Sequence, residues 1–307
     1  MSAPAPVPPR ELATRVGQAP GDPLEGYDWV GRAFREKIEA LLPEDWSWQG
    51  KRVLDFGCGS ARVLRHFLEE AREAEFWGCD IDAPSIEWLR ENLSPPVHCF
   101  RNDPEPPLPL EDGYFDLVWA TSVFTHITDN WSGWLLELHR VLAPHGMLIS
   151  THLGEGGWAT LVNEPYDEDR VGMIVLRHWL PWEQGGPWVF HSEWWLREHW
   201  GRAFEILEID RPQPIGDQPP PIIHTCLVAR KGAVKPTAEE LEQPGPDEPR
   251  ELDSIRNNLR LLQLEVEGVV ARPPIRTALK ELIRRSPLAA PARRLRDGLR
   301  RSYRSYL

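Results

Sequence analysis

From Lys51 onward, short apolar runs alternate with stretches whose apolar residues recur every three or four positions. The runs near 51–56, 75–80, 96–100, 114–121, 146–152, 203–210 and 222–230 read as strands. They are continuous apolar blocks, as in Val53-Leu54 or Leu117-Val118, and strands of that kind belong to a parallel sheet covered on both faces. Helical spacing of Val30, Phe34, Ile38 and Leu41 predicts a helix over 29–42. A second helix opens at Asp82-Ala83-Pro84, an acid before an early proline, and another ends at Leu142 ahead of Pro144-His145-Gly146. A helix is also predicted over 62–70, directly after the first strand. There are no internal repeats.

The flanks break this alternation. Residues 1–26 are rich in proline and small residues and are expected to be disordered. The alternating region is then one domain, 27–230. Residues 231–249 read as a linker, and 250–307 as a helical tail whose first helix carries Ile255, Leu259, Leu262 and Val266 at helical spacing, a partner-seeking or back-packing face. Between the fifth and sixth strands, residues 154–190 form a long insertion holding Gly156-Gly157, the acidic run 167–169, and Trp158, Trp179, Trp182 and Trp188. It leaves the carboxyl edge of the sheet, where open α/β folds place substrates, so it reads as a substrate lid.

The chemistry sits where the first strand ends. Val53 to Arg62 reads VLDFGCGSAR: an apolar strand, an acid at Asp55, then Gly57 and Gly59, which allow a sharp turn and let a ligand lie on bare main chain. A phosphate-binding P-loop would need Gly-x-x-x-x-Gly-Lys-Ser/Thr, and a dinucleotide fingerprint would need a glycine where Arg62 stands. About 20 residues on, the second strand ends in Asp80, the placement at which a carboxylate accepts ribose hydroxyls. An adenosine ligand without a diphosphate is the best match.

With VLDFGCGSAR, GCDID, the acid in RNDPEPPLPL, YFDLVWATSVFTHI and WLLELHRVLAPHGMLISTHL in this order and spacing, the region from about Lys51 to Gly154 resembles a class I S-adenosylmethionine-dependent methyltransferase. The resemblance implies an α/β, Rossmann-like, mostly parallel sheet of seven strands with helices on both faces, the last strand antiparallel and next to the sixth. It implies S-adenosyl-L-methionine as cofactor: Asp55 near the methionyl ammonium, Gly57 and Gly59 beneath the ligand, Asp80 on the ribose, and Asn102 and Asp103 at the adenine. Asp82 competes with Asp80 but suits helix capping better, and Asp116 reads as structural. The first helix is expected beside the pocket, with Tyr27 and Arg32 near the methionyl end. One departure is Ala61, where the family usually carries a third glycine; the extra methyl bears on affinity, not on fold.

Methyl transfer is an in-line displacement that asks the protein mainly to align a nucleophile and exclude water. A hydroxyl acceptor benefits from a base titrating near neutrality. His152, ending the fifth strand, is the first candidate and His126, after the fourth, the second; His191 and His224 rank lower as bases. Trp158, Trp182 and His191 are the expected acceptor-binding residues. The implied function is methyl transfer to a small-molecule acceptor, a hydroxyl, amine or carboxylate of a sugar or glycan precursor. The alternative is a non-catalytic module that binds the cofactor.

The chain has 307 residues and a net charge of −12. Residues 271–307 carry eleven Arg or Lys against Glu281 and Asp297, which puts that segment at +9 and the remainder at −21. So acidic a body excludes nucleic acid as an expected partner. The basic segment, with Ile275, Leu279 and Leu282 on one face, suggests a peripheral membrane or protein contact. It also resembles the Arg/Leu-rich tails of enzymes of bacterial polysaccharide biosynthesis. No apolar run reaches the roughly 18 residues of a membrane span, and the N-terminus lacks a signal-peptide core, so a cytoplasmic protein is expected. Cys58, Cys79, Cys99 and Cys226 show no ligand spacing and read as small thiols, with no metal site.

Overall fold

The computed structural model describes residues 5–15, 22–162, 164–212 and 222–266. Its central sheet has seven strands: β1 (Arg52–Phe56), β2 (Glu75–Asp80), β3 (His98–Arg101), β4 (Phe115–Ala120), β5 (Leu142–His152), β8 (Phe204–Asp210) and β9 (Thr225–Lys231). Two more strands, β6 (Met173–Leu176) and β7 (Trp188–His191), form a separate hairpin. The sheet order is β3-β2-β1-β4-β5-β9-β8. Pairings among the first five are parallel, while β9 runs antiparallel between β5 and β8. All seven strands lie close to the apolar runs, and the topology is the one the resemblance implies.

The helices are α1 (Arg10–Ala13), α2 (Pro23–Leu41), α3 (Ala83–Asn92), α4 (Trp131–Val141), α5 (Glu155–Leu161), α6 (Glu193–His199), α7 (Ala238–Glu242) and α8 (Arg250–Val266). One face of the sheet, through Val53, Leu117, Trp119 and Ile149, packs on Phe34 and Ile38 of α2 and on Phe67. The other, through Leu54, Val118 and Leu148, packs on Trp134, Leu135 and Leu138 of α4 and on Leu196 of α6. Asp55 therefore points to the α2 face. Its strand neighbours Leu54 and Phe56 point away, as the two-residue period of a strand requires.

Three expectations need correction. The segment after the glycine turn is not an α-helix; it holds a turn and two 3₁₀ pieces, Leu64–Phe67 and Glu70–Arg72. The expected disordered stretch 1–26 contains α1 and the start of α2, whose N-cap Asp22 accepts from Leu24 N with Pro23 in the first turn. A cap of this kind contributes about 1 kcal/mol. The expected linker contains α7, closed by a capping box between Thr237 and Glu240 and anchored by the buried Leu241.

Helix α8 does not pack back through its apolar face: Ile255 is 45% exposed and Leu259 63%. Glu251, Ser254, Asn257 and Leu261 are buried instead. That face meets the hairpin, whose β6 strand offers free backbone groups: Val175 N donates to Asn258 Oδ1 and Arg177 N to Glu265 Oε1. Asn257 donates to Arg170 O, and Glu251 holds His199 at 2.7 Å. An edge strand needs polar partners, and α8 supplies them. The basic segment 271–307 lies outside the described residues. Among those residues, no helix is long and apolar enough to cross a membrane. All four cysteines are free thiols, with Cys58, Cys79 and Cys226 buried.

Candidate active site

The turn after β1 is built to approach β2 closely. Gly57 has φ +74°, and a Cβ there would lie 2.3 Å from Val123 Cγ2, so neither the conformation nor the space admits a side chain. Gly57 N and Cys58 N both donate to Cys79 O, at 2.8 and 3.0 Å. Gly59 has φ +53° and donates its N–H to Asp80 Oδ2 at 2.7 Å. Ala61 also takes the left-handed conformation, φ +64°, so it is folded as a glycine would be.

Three polar groups line the C-terminal ends of β1, β2 and β3. Asp55 is fully buried, and neither of its carboxylate oxygens has a hydrogen-bond partner. Burial pushes its carboxyl up to about 7, against the pull of the Trp119 indole and the Arg62 guanidinium. Asp80 bridges the turn, accepting from Gly59 N and from Asp82 N at 2.8 Å, and burial raises its pKa as well. Asn102 is buried with Oδ1 unpartnered, while its amide donates to Asp103 O. Asp103 itself is exposed at the rim.

Orphaned buried oxygens are costly unless something donates to them. An adenosine with an amino-acid tail would supply such donors: an ammonium at Asp55, ribose hydroxyls at Asp80, an adenine amino group at Asn102 and Asp103. The residues present therefore fit S-adenosylmethionine. Asp82 plays the capping part, accepting from Ser85 N and Oγ and pairing with Arg15. Tyr27 closes the α2 side with its hydroxyl on Ser60 O at 2.6 Å. Arg32 points away, 61% exposed and paired with Asp28.

The acceptor side lies at the ends of β4 and β5. His126 Nδ1 is 2.8 Å from Pro187 O. A carbonyl only accepts, so Nδ1 carries the proton and Nε2 keeps its lone pair. Solvent reaches the His126 ring although protein crowds around it, and that crowding lowers its pKa, so the neutral base is the form present at pH 7. The hairpin seals this wall, with Val189 N donating to Thr125 O. Gly186 abuts both His126 and Trp182, which is 44% exposed.

The sequence ranking of histidines is overturned here. His152 is 0% exposed, bonded to Ser150 Oγ at 2.8 Å and to His191 Nδ1 at 3.3 Å, and wedged between Phe124 and Trp200. Burial drives its pKa well down, and both its ring nitrogens are already engaged, by Ser150 and His191. His191 is buried beside it, and Trp158 is buried in the insertion's own core with Phe190. None of these three lines the cleft. The neighbourhood holds instead a pair that the sequence reading ranked low or missed. Ser122 Oγ lies 3.1 Å from His224 Nε2, with Ser122 at φ +60° and its N–H on Thr151 Oγ1 at 2.7 Å. A strained non-glycine residue just past a strand end marks functional sites. Its signal, however, is a backbone angle that the sequence does not print.

Comparison with known proteins agrees with this geometry. Residues 54–150 match the family model described as a methyltransferase domain. The chain is 29% identical over 147 residues to a malonyl-[acyl-carrier protein] O-methyltransferase of Pseudescherichia vulneris, covering 48% of this chain and 55% of that protein. It is 35% identical over 148 residues to phthiotriol/phenolphthiotriol dimycocerosates methyltransferase 1 of Mycobacterium ulcerans, covering 48% and 49%. Among solved structures, an S-adenosylmethionine-dependent methyltransferase from Mesorhizobium loti is similar at 17% identity and a TM-score of 0.46, covering 64% of this chain and 96% of that one. The chain spans only about half the length of these two curated relatives. Residues 54–150 are thus similar to a methyltransferase domain, and the strand order is the one that the class I resemblance implies.

Proposed function

We propose that this protein moves the methyl group of S-adenosylmethionine to an oxygen of a small-molecule acceptor held beneath the β6–β7 hairpin. The observation that carries the reading is Asp55, a buried carboxylate with two unpartnered oxygens at the end of β1. When bound, the cofactor supplies an electrophilic methyl on a sulfonium. Asp55, Asp80, Asn102 and Asp103 hold it, and the glycine turn lets it lie against main chain. His126 takes the proton of a hydroxyl acceptor at Nε2, its orientation fixed by the Pro187 carbonyl. The hairpin flanks this side through the Val189 N bond to Thr125 O.

Oxygen is favoured over nitrogen because one similar protein is named an O-methyltransferase, and the lipid-like name of the other makes an acyl or lipid acceptor the first to try. The sugar reading loses support as Trp158 closes into the insertion core; only Trp182 and Trp179 stay exposed. Isothermal titration with S-adenosylhomocysteine tests the cofactor half: no binding, or binding indifferent to Asp80→Ala, would remove it. A screen of hydroxy-lipids, acyl thioesters and nucleotide sugars with labelled methyl donor tests the acceptor half. Label transferred to nitrogen alone would overturn the oxygen assignment.

A further inference from the structure

Helix α8 lies outside residues 54–150, yet it holds the strand whose loop reaches His126. Glu265, near the C-terminal end of the helix, accepts the backbone N–H of Arg177 at Oε1, 2.6 Å away. Its other carboxylate oxygen is buried and, among the described residues, has no hydrogen-bond partner. An unpaired buried carboxylate oxygen costs stability, which points to a role for Glu265 at the one amide it holds.

Arg177 is where β6 stops being a strand. It has φ +55°, the left-handed conformation that is unfavourable for any residue bearing a side chain. Strain of this kind persists only where the surroundings impose it. Three contacts do so: the Arg177 N–H is on Glu265, its carbonyl accepts from Leu180 N at 2.9 Å, and its guanidinium lies 4.3 Å from the centre of the Trp188 ring. Beyond Leu180 the loop is tied to itself, with Gln184 N and Gly186 N both donating to Pro181 O, at 2.9 and 3.0 Å. Its far end brings Pro187 O to His126 Nδ1 at 2.8 Å and sets Gly186 against the same ring. The path from Glu265 to His126 is thus one amide, one strained turn and one self-bonded loop. Asn258 adds a second hold on the same strand edge, at Val175 N.

We propose that Glu265 is a positioning residue for His126: by fixing the Arg177 turn it aims the 177–187 loop, so that Pro187 O keeps the proton on Nδ1 and leaves Nε2 bare for the acceptor. The proposal rests on the base assignment made above for His126 and extends it to the helix that holds the hairpin. It makes α8 part of the acceptor side without contact to the acceptor. Misaiming a base by about 1 Å from a distance is enough to cost a large part of a rate, so such a hold matters for the chemistry as well as for the fold.

The test is spectroscopic and needs no acceptor. The full chain carrying isotope-labelled histidine is examined at pH 7 by two-bond proton–nitrogen NMR, with His126 assigned by its loss in His126→Gln. The wild type is expected to show a single Nδ1–H tautomer for His126. Glu265→Ala should mix in the Nε2–H form and speed amide exchange at Arg177 and through 178–187 by about 10- to 100-fold, the range of one hydrogen bond to a charged group. Glu265→Gln, which keeps an accepting oxygen, should hold the wild-type tautomer. Affinity for S-adenosylhomocysteine, read by calorimetry, should stay within about twofold in both variants, since the strand-end acids share no partner with Glu265. A His126 signal unchanged in Glu265→Ala would overturn the assignment, and so would exchange raised equally in β1 and β4, the mark of a merely structural role. Should Glu265→Ala fail to fold, the wild type decides: an Arg177 amide that exchanges as fast as an unbonded one leaves Glu265 without a hold on the turn. If wild-type His126 carries its proton on Nε2, the base assignment falls together with this one; if it carries Nδ1–H whatever residue stands at position 265, only this one falls.

Discussion

The buried Asp55 makes a pH-dependent stability that can be worked through. In the folded chain its carboxyl titrates at about 7, because burial disfavours the charged form; in the unfolded chain it titrates near 3.9. Between about pH 4 and 7 the folded state therefore keeps a proton that the unfolded state has released. Stability rises with pH only where the unfolded state binds more protons; here the folded state binds more, so stability falls as pH rises through this window. At 1.36 kcal/mol per unit over about three units, the loss by pH 8 is about 4 kcal/mol. Asp55→Asn keeps the shape and removes the titration. The variant should match the wild type near pH 4 and exceed it increasingly toward pH 8, by roughly 10 °C in Tm for a domain of this size. Saturating S-adenosylmethionine should reverse the order at pH 8, since the ammonium stabilises the ionised carboxylate of the wild type alone. The assay is thermal or urea unfolding at half-unit pH steps with and without ligand. Parallel curves for the two proteins from pH 5 to 8 would refute the reasoning, because the orphaned carboxylate would then carry no strain for a ligand to relieve.

Four further outcomes follow from the same structure. His126→Gln should lower kcat by about 100-fold with any hydroxyl acceptor the label screen returns, and should abolish the fall in wild-type kcat on the acid side of the pH profile; an unchanged profile would remove His126 as base. Ala61 sits at φ +64°, so Ala61→Gly should stay within about 1 kcal/mol of wild type, relieved strain offsetting the lost methyl, whereas the β-branched Ala61→Val should cost more than about 2 kcal/mol in urea unfolding. Glu251→Ala should destabilise by about 3 kcal/mol, because it strips the partner from buried His199 and unseats α8 from the hairpin; Leu259→Ala, on the exposed face, should change stability by less than about 0.5 kcal/mol. Vesicles of anionic lipid should sediment the full chain at low salt but not a chain ending at residue 266, a cut that keeps α8 in place; equal sedimentation of the two would end the membrane reading.

Which parts of this molecule could be read from the chain, and which could not, follows from how far each signal reaches. The strands and the proposed cofactor contacts are local: Asp55 and Asp80, and Asn102 and Asp103 just past β3, each close an apolar run, so the run that makes the strand also delivers the polar group to the sheet edge. Position at a strand end is a weaker guide for a histidine. His152 ends β5 just as Asp55 ends β1, but α6 and the segment after it bring Trp200 onto one side, and the hairpin brings His191 onto another. Whether a strand-end residue faces a cleft or a core is decided by what the later chain lays over it. The same holds for α8, whose apolar spacing left two faces open and which packs through its polar face because its partner is the polar edge of β6. Ser122 and His224 illustrate the converse: a strained loop and the run into β9 carry no shared sequence signal, and only the sheet order, with β9 beside β5, brings them together. The acids proposed to hold a nucleoside are thus fixed by short-range pattern, whereas the residues proposed to meet the acceptor are fixed by topology. Substitutions in the first group should abolish ligand binding as a whole, and substitutions in the second should change which ligand or acceptor is used.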